Sequence, residues 1–248
     1  MRNTMKKLLL GMAIGMIPYY LSAQTKFQPQ DTEFYTPQSP IVTIAENQAP
    51  SDAIILFDGK DLSQWVQSND VTKPAPWTIL NGILTVKPGT GNIQTKQNFE
   101  DFQLHVEWKS PDIIKGEGQG RGNSGVFLQG KYEIQVLDNN NNPTYVNGQA
   151  ASLYKQRQPL VTAVKPAGEW HSYDILYTAP RFNKDGILIK KGMVTVLHNG
   201  IVVHFNTIIE GTTEYIGLPQ VIAHGAGPIT LQDHGDLVSF RKIWIRPL

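Results

Sequence analysis

Met193-Val-Thr-Val-Leu-His198-Asn199-Gly200-Ile201-Val-Val-His-Phe205 is the stretch whose reading decides the fold. Two runs rich in β-branched and apolar residues flank an Asn-Gly pair. Asn-Gly accepts positive φ at both central positions of a type I′ turn, so the stretch predicts a two-residue β-hairpin. The device occurs upstream as well, with Trp77-Thr-Ile-Leu and Ile83-Leu-Thr-Val on either side of Asn81-Gly82. Short apolar runs punctuated by turn residues predict further strands at 53–57, 102–109, 125–129, 132–137, 170–178, 229–232 and 238–246. In 102–109 the alternation is clean: Phe102, Leu104, Val106 and Trp108 share one face, and Gln103, His105, Glu107 and Lys109 the other. No segment sustains a 3.6-residue period. The one helical hint is 149–154. The reading is an all-β sandwich.

Composition agrees. The chain has 248 residues, with 22 Gly, 16 Pro, 9 Tyr and 5 Trp, which suits many turns and an aromatic core. With 22 basic and 21 acidic residues and no basic block or stripe, nucleic acid and anionic membrane surfaces are not expected partners. There is no Cys, so neither a disulfide framework nor a lipidated Cys is available. Arg2, Lys6 and Lys7 precede an apolar run from Leu8 to Tyr20, which ends at Leu21-Ser22-Ala23. That run is short of the roughly 20 residues a membrane span needs. It reads as a cleavable signal peptide over 1–23, which places the mature chain in the periplasm or outside the cell. Residues 24–50, rich in Gln, Pro, Thr and Ser, read as an extended or disordered linker, and 51–248 as the folded domain.

The strand Tyr132-Glu-Ile-Gln-Val136 carries the most informative chemistry. If Tyr132, Ile134 and Val136 face the core, Glu133 and Gln135 stand about 7 Å apart on the opposite face. A carboxylate beside an amide on a sheet floor suits acid–base work. The Gly-rich segment 116–125 feeds directly into the preceding strand. Lacking a strand–loop–helix context, it is not a phosphate loop, and its glycines let Arg121, Asn123 and Ser124 approach a ligand. His234, beside Gln232 at a strand end, is positioned to act as acid, base or metal ligand. His171 alternates onto the face opposite Trp170. No nucleophile elbow, Rossmann fingerprint or tight zinc spacing is present.

Taken in order, several pieces resemble one family. They are Leu56-Phe-Asp-Gly-Lys-Asp-Leu-Ser-Gln-Trp65, Gly122-Asn-Ser-Gly-Val-Phe127, Tyr132-Glu-Ile-Gln-Val-Leu-Asp138, Pro166-Ala-Gly-Glu-Trp170 and Gly227-Pro-Ile-Thr-Leu-Gln-Asp-His-Gly235. Together they resemble the 3-keto-disaccharide hydrolase domain family of exported Bacteroidetes proteins, departing from its usual Asn at His171 and Lys242. The resemblance implies a concanavalin/glucanase-like jelly roll of two antiparallel sheets. It also implies an oligosaccharide or glycoside substrate oxidised at C3, and cleavage by C2 proton abstraction with elimination or net hydrolysis. On that footing Glu133 and His234 are the expected catalytic pair, or else ligands of a divalent cation. Arg121, Asn123, Gln135, Asp138, His171 and Gln232 are expected to bind substrate. Two competing readings are a non-catalytic carbohydrate-binding module and a conventional glycanase, which needs paired carboxylates about 5–9.5 Å apart.

Overall fold

The computed structural model describes residues 26–46 and 48–248. The signal-peptide reading over 1–23 lies outside the described residues. The chain divides into two units after Ile41. In the first, the described residues are exposed and hold one short 3₁₀ turn, Pro29–Thr32. The second unit holds the fifteen strands found among the described residues: β1 (Ile54–Phe57), β2 (Trp65–Gln67), β3 (Thr78–Leu80), β4 (Ile83–Thr85), β5 (Ile93–Thr95), β6 (Phe102–Lys109), β7 (Ser124–Leu128), β8 (Tyr132–Val136), β9 (His171–Thr178), β10 (Arg181–Phe182), β11 (Leu188–Lys190), β12 (Met193–His198), β13 (Ile201–Ile208), β14 (Thr230–Leu231) and β15 (Ser239–Pro247).

These build a β-sandwich, as expected. One antiparallel sheet runs β13-β12-β9-β6-β15-β4-β3, with β1 pairing to β15 beside β4. The facing sheet runs β2-β5-β14-β7-β8, and β10 and β11 form a separate ribbon. Both Asn-Gly hairpins close as the sequence predicts. Asn81 and Gly82 have φ of 52° and 76°, Asn199 and Gly200 of 53° and 78°, and the closing pairs are Leu80–Ile83 and His198–Ile201. In β6, Phe102, Leu104, Val106 and Trp108 are buried and the alternate residues only partly so. Tyr173, Ile175 and Tyr177 of β9, Val194 and Val196 of β12 and Phe240, Ile243 and Ile245 of β15 join them against Val126, Leu128, Ile134 and Val136 of the other sheet.

Two differences from the sequence reading stand out. The strands β2, β5, β10 and β11 are only two or three residues long, too short for a period of two to show. The helical hint at 149–154 is a correction: no helix forms there, and Ala151 in its middle takes a φ of 65°, which a right-handed helix does not tolerate. The segment instead lies along the free edge of β8. Ala151 N donates to Gln135 O (2.9 Å), Gln135 N to Ser152 O (3.0 Å) and Tyr154 N to Glu133 O (3.0 Å). An otherwise open strand edge is thereby satisfied. All five residues of β8 are buried, so its outward-facing pair is buried as well.

Candidate active site

The outer face of the smaller sheet bears a pocket of about 240 Å³ lined by Asn123, Phe127, Glu133, Gln135, Tyr154, Thr213, Tyr215, Gln232 and His234. Five residues singled out from the sequence therefore meet on one site: Glu133, His234, Gln135, Asn123 and Gln232. Glu133 and Gln135 come from β8, Asn123 from the turn entering β7, and Gln232 and His234 from the end of β14. Tyr132, Ile134 and Val136 are core residues, so the period of two alone turns Glu133 and Gln135 outward.

Glu133 is the only carboxylate lining this pocket. It is 3% exposed. Its backbone is held, Glu133 N donating to Thr213 Oγ1 (2.9 Å). Its carboxyl group, in contrast, has no hydrogen-bond partner among the described residues. Burial therefore acts unopposed and pushes its pKa up to about 8. The side chain lies over Gly125, diagonally across the β7–β8 pair, in which Gly125 faces Gln135 and Phe127 faces Glu133. A Cβ at position 125 would sit 3.0 Å from Glu133 Cδ and Cγ. Gly125 is thus the space into which the carboxyl leans.

Of the neighbouring amides, Gln135 is held at both ends, its Oε1 accepting from Val136 N (3.1 Å), whereas Asn123 is held at its nitrogen alone. Asn123 Nδ2 donates to Gln119 O (2.7 Å), and Gln135 Nε2 donates to Gln119 Oε1 (3.0 Å). Gln119 Nε2 in turn reaches Thr144 Oγ1 and Gly148 O, each at 2.8 Å. Asn123 Oδ1 and Gln232 Oε1 are buried without a partner. Buried acceptors without partners are rare and costly, and two of them beside a lone carboxyl mark a place built for an absent donor. Tyr154 Oη lies 2.5 Å from Tyr145 Oη, and burial raises both phenols, so Tyr154 presents a neutral hydroxyl to the pocket. Tyr154, Thr213 and Tyr215 carried no sequence signal. They reach the site only because 145–156 and 211–215 fold over β8.

The other three expected site residues lie elsewhere. Arg121 Nε and the buried Asp138 Oδ2 form a part-buried ion pair at 2.8 Å, and Arg121 Nη2 also donates to Asn140 O (3.1 Å). They line a neighbouring pocket at the end of the sandwich. His171 is in the core between the sheets, its ring stacked on Trp108 at 4.1 Å and its Nδ1 2.8 Å from His198 Nε2.

Among the described residues no three His, Cys, Asp or Glu side chains cluster so as to hold a metal ion. Glu133, His234 and the two free amide oxygens are the groups that could serve one, an oxygen-rich set suited to a hard cation. A hollow of about 840 Å³ on the outer face of the larger sheet, around His105, Glu107 and Asp174, is of another character. There Asp174 Oδ1 meets His105 Nδ1 at 2.7 Å, and Glu107 pairs with Arg241 and with Lys242 Nζ (3.0 Å). Burial would raise Glu107, but hydrogen bonds from Arg241 and Lys242 outweigh it and hold the group below the usual carboxylate range. Its ionic groups satisfy one another.

A family model described as the 3-keto-alpha-glucoside-1,2-lyase-like domain matches residues 52–246. A Bacteroides thetaiotaomicron protein named 3-keto-disaccharide hydrolase is 29% identical over 260 residues, covering 81% of this chain and 81% of its own. A crystal structure of a candidate glycosyl hydrolase from Parabacteroides distasonis is 54% identical, with a TM-score of 0.86 over 89% of this chain and 97% of that one. A second such structure from the same organism, 23% identical with a TM-score of 0.58 over 79% and 94% of the two chains, shares the fold.

Proposed function

The chain belongs to the 3-keto-alpha-glucoside-1,2-lyase-like family, and from that premise we propose that it is an exported enzyme that cleaves glycosides carrying a ketone at C3, with Glu133 as the base. The observation that carries the reading is the buried carboxyl of Glu133, alone and without a hydrogen-bond partner, beside two free amide oxygens. A ketone at C3 acidifies the proton on C2. Glu133, when ionised, takes that proton. The C1–O bond breaks, a C1=C2 double bond conjugated to the ketone forms, and the departing oxygen takes a proton from His234. Water then adds across the double bond, and the net result is hydrolysis. A carboxylate whose pKa lies near 8 is a stronger base than an exposed one and is still ionisable near neutral pH. Asn123 Oδ1 and Gln232 Oε1 accept hydrogen bonds from sugar hydroxyls, and the neutral Tyr154 hydroxyl, which lines the same pocket, donates to the enolate oxygen.

The chemistry needs one base rather than two carboxylates, and Glu133 has no second carboxylate beside it. That weighs against a conventional glycanase, and the buried titratable floor weighs against a binding module. A pocket of about 240 Å³ suits one sugar ring rather than a polymer. The export signal read at 1–23 makes the periplasm the expected compartment, which N-terminal sequencing of the mature protein checks. The main test is Glu133→Gln on a 3-keto-glucoside in D₂O. Turnover should fall by about 10²–10⁴ and deuterium should no longer enter at C2. Unchanged turnover would remove Glu133 from the mechanism.

A further inference from the structure

The pocket holding Arg121 and Asp138 has about 520 Å³, more than twice the 240 Å³ of the Glu133 pocket, and its walls are mostly apolar where those of the Glu133 pocket are mostly polar. The two are next-door neighbours along two stretches of chain. Arg121 and Gly122 line the larger pocket and Asn123 the smaller, while Gly235 and Asp236 line the larger and His234 the smaller. The two stretches are tied together where they meet, Asn123 N donating to Asp236 Oδ2 at 2.8 Å. The strip of chain that the two pockets share is tightly held. Gly122 passes with φ of 58°, and a Cβ there would lie 2.9 Å from Ser110 Cβ and 3.1 Å from Asp138 Cβ. The Arg121–Asp138 pair braces it from behind.

Around the larger pocket, Ile113, Ile114 and Leu237 are 72%, 56% and 54% exposed, and Pro88 and Pro111 complete an apolar rim. Clustered apolar side chains turned to solvent on loops beside a site mark a ligand surface. In the reaction proposed above, the bond to C1 breaks, so the leaving group must lie beside the sugar pocket and near His234.

We infer that the larger pocket is the leaving-group subsite and that it selects an apolar or aromatic aglycone over a second sugar. The inference rests on the proposed C3-keto-glycoside cleavage. A second sugar ring would ask for hydrogen-bonding partners all round, whereas Ile113, Ile114 and Leu237 offer only apolar contact. The polar side chains of the lining are mostly taken up by one another. Arg121 pairs with Asp138, Lys109 Nζ with Asp112 Oδ1 (3.1 Å) and Thr85 Oγ1 with Ser239 Oγ (2.9 Å), and Asp236 Oδ2 accepts from Asn123 N. That leaves Lys115 at the rim as the one lining charge with no such partner among the described residues.

The test compares two substrates that share a 3-keto-glucose ring, one carrying an alkylphenyl aglycone and the other glucose. The wild-type protein should favour the aryl substrate in kcat/KM. Ile113→Ser/Ile114→Ser and, separately, Leu237→Ser should shrink the aryl-over-disaccharide ratio about tenfold or more, at an unchanged melting temperature, since these exposed side chains leave the core intact. A ratio unmoved in both variants while turnover persists would overturn the subsite and leave Glu133 chemistry standing. A wild-type preference for the disaccharide would also overturn it. Failure to turn over either substrate would sink both readings together.

Discussion

Two polar groups in this molecule are buried to the same degree and behave in opposite ways. Glu133 and His171 are each 3% exposed. His171 lies between the sheets, stacked on Trp108, with its Nδ1 2.8 Å from His198 Nε2, while His198 packs edge-on against Tyr173 with ring centres 4.9 Å apart. Burial, helped slightly by the Lys165 charge, lowers His171 to about 4. Burial, then the charges of His171 and Lys165, lowers His198 to about 3. Both rings are neutral at any ordinary pH, with partners inside the fold. Glu133 is also driven neutral, up to about 8, but no described residue hydrogen-bonds its carboxyl. Equal burial thus gives a packing element where the partners are internal and a reactive group where they are missing. What distinguishes these two residues is whether their own polar groups are satisfied, not how deep they lie, although the Trp108 ring against His171 has its Nε1 buried without a partner.

The strongest way to break this contrast is Glu133→Gln. It should lower kcat/KM for a 3-keto-glucoside by about 10²–10⁴. It should cost no stability, because Gln is close to the protonated carboxyl that burial already favours. A variant that loses its fold as readily as its activity would make Glu133 a structural residue after all. The counterpart, His171→Ala, should do the reverse. Removing a stacked, hydrogen-bonded ring from the core should cost about 3–5 kcal/mol in chemical denaturation. The kcat/KM of the protein that remains folded should stay within about twofold. A selective loss of activity would return His171 to the substrate.

The same contrast sets a pH dependence. The folded-state values of His171 and His198 lie below the unfolded 6.5, so the unfolded chain takes up protons that the fold refuses. Their contribution to stability is complete above pH 6.5 and is lost as pH falls toward 4 and 3. For His171 alone the loss is on the order of 3 kcal/mol. Glu133 is raised from 4.5 to about 8, so the fold keeps a proton that the unfolded chain gives up. Its contribution is complete below pH 4.5 and is lost as pH rises through 8. Denaturation midpoints should therefore fall on both sides of a maximum between about pH 5 and 7. His171→Phe should flatten the acid side and Glu133→Gln the alkaline side. Activity, which needs the ionised carboxylate, should rise with pH toward 8 just where stability declines.

How much of this the sequence displays depends on the range of the interaction. Alternation in 102–109 and the Asn-Gly pairs are local, and β6 and both hairpins lie where those signals put them. Glu133 and Gln135 were legible as an outward pair for the same reason, because period two in β8 fixes their face. That they would be buried was not legible. It depends on 151–156 lying along the free edge of β8 and on Thr213 reaching it from 80 residues further along the chain. Arg121 and Asp138 are 17 residues apart, and nothing local announces that they close on each other. His171 faces opposite Trp170, as alternation requires, but which side of β9 faces inward is settled by the sheet across the core.

The smallest expected effect is the sharpest probe of the contrast. Gly125 has ordinary negative-φ strand backbone, so Gly125→Ala is compatible with the conformation of β7. All three of its close neighbours are atoms of Glu133, with Cδ and Cγ 3.0 Å from the added methyl. The carboxyl must swing aside while the sheet stays as it is. The kcat/KM should fall about tenfold, with little change in melting temperature, because misplacing a catalytic group by a fraction of its reach is costly to rate and not to fold. A double-mutant cycle makes the assignment specific. In a Glu133→Ala background the added methyl has nothing to displace, so Gly125→Ala should have no further effect on residual activity. A full tenfold loss in that background would place the origin of the effect in the sheet rather than in the carboxyl. Position 125 would then belong with the satisfied core and not with the site.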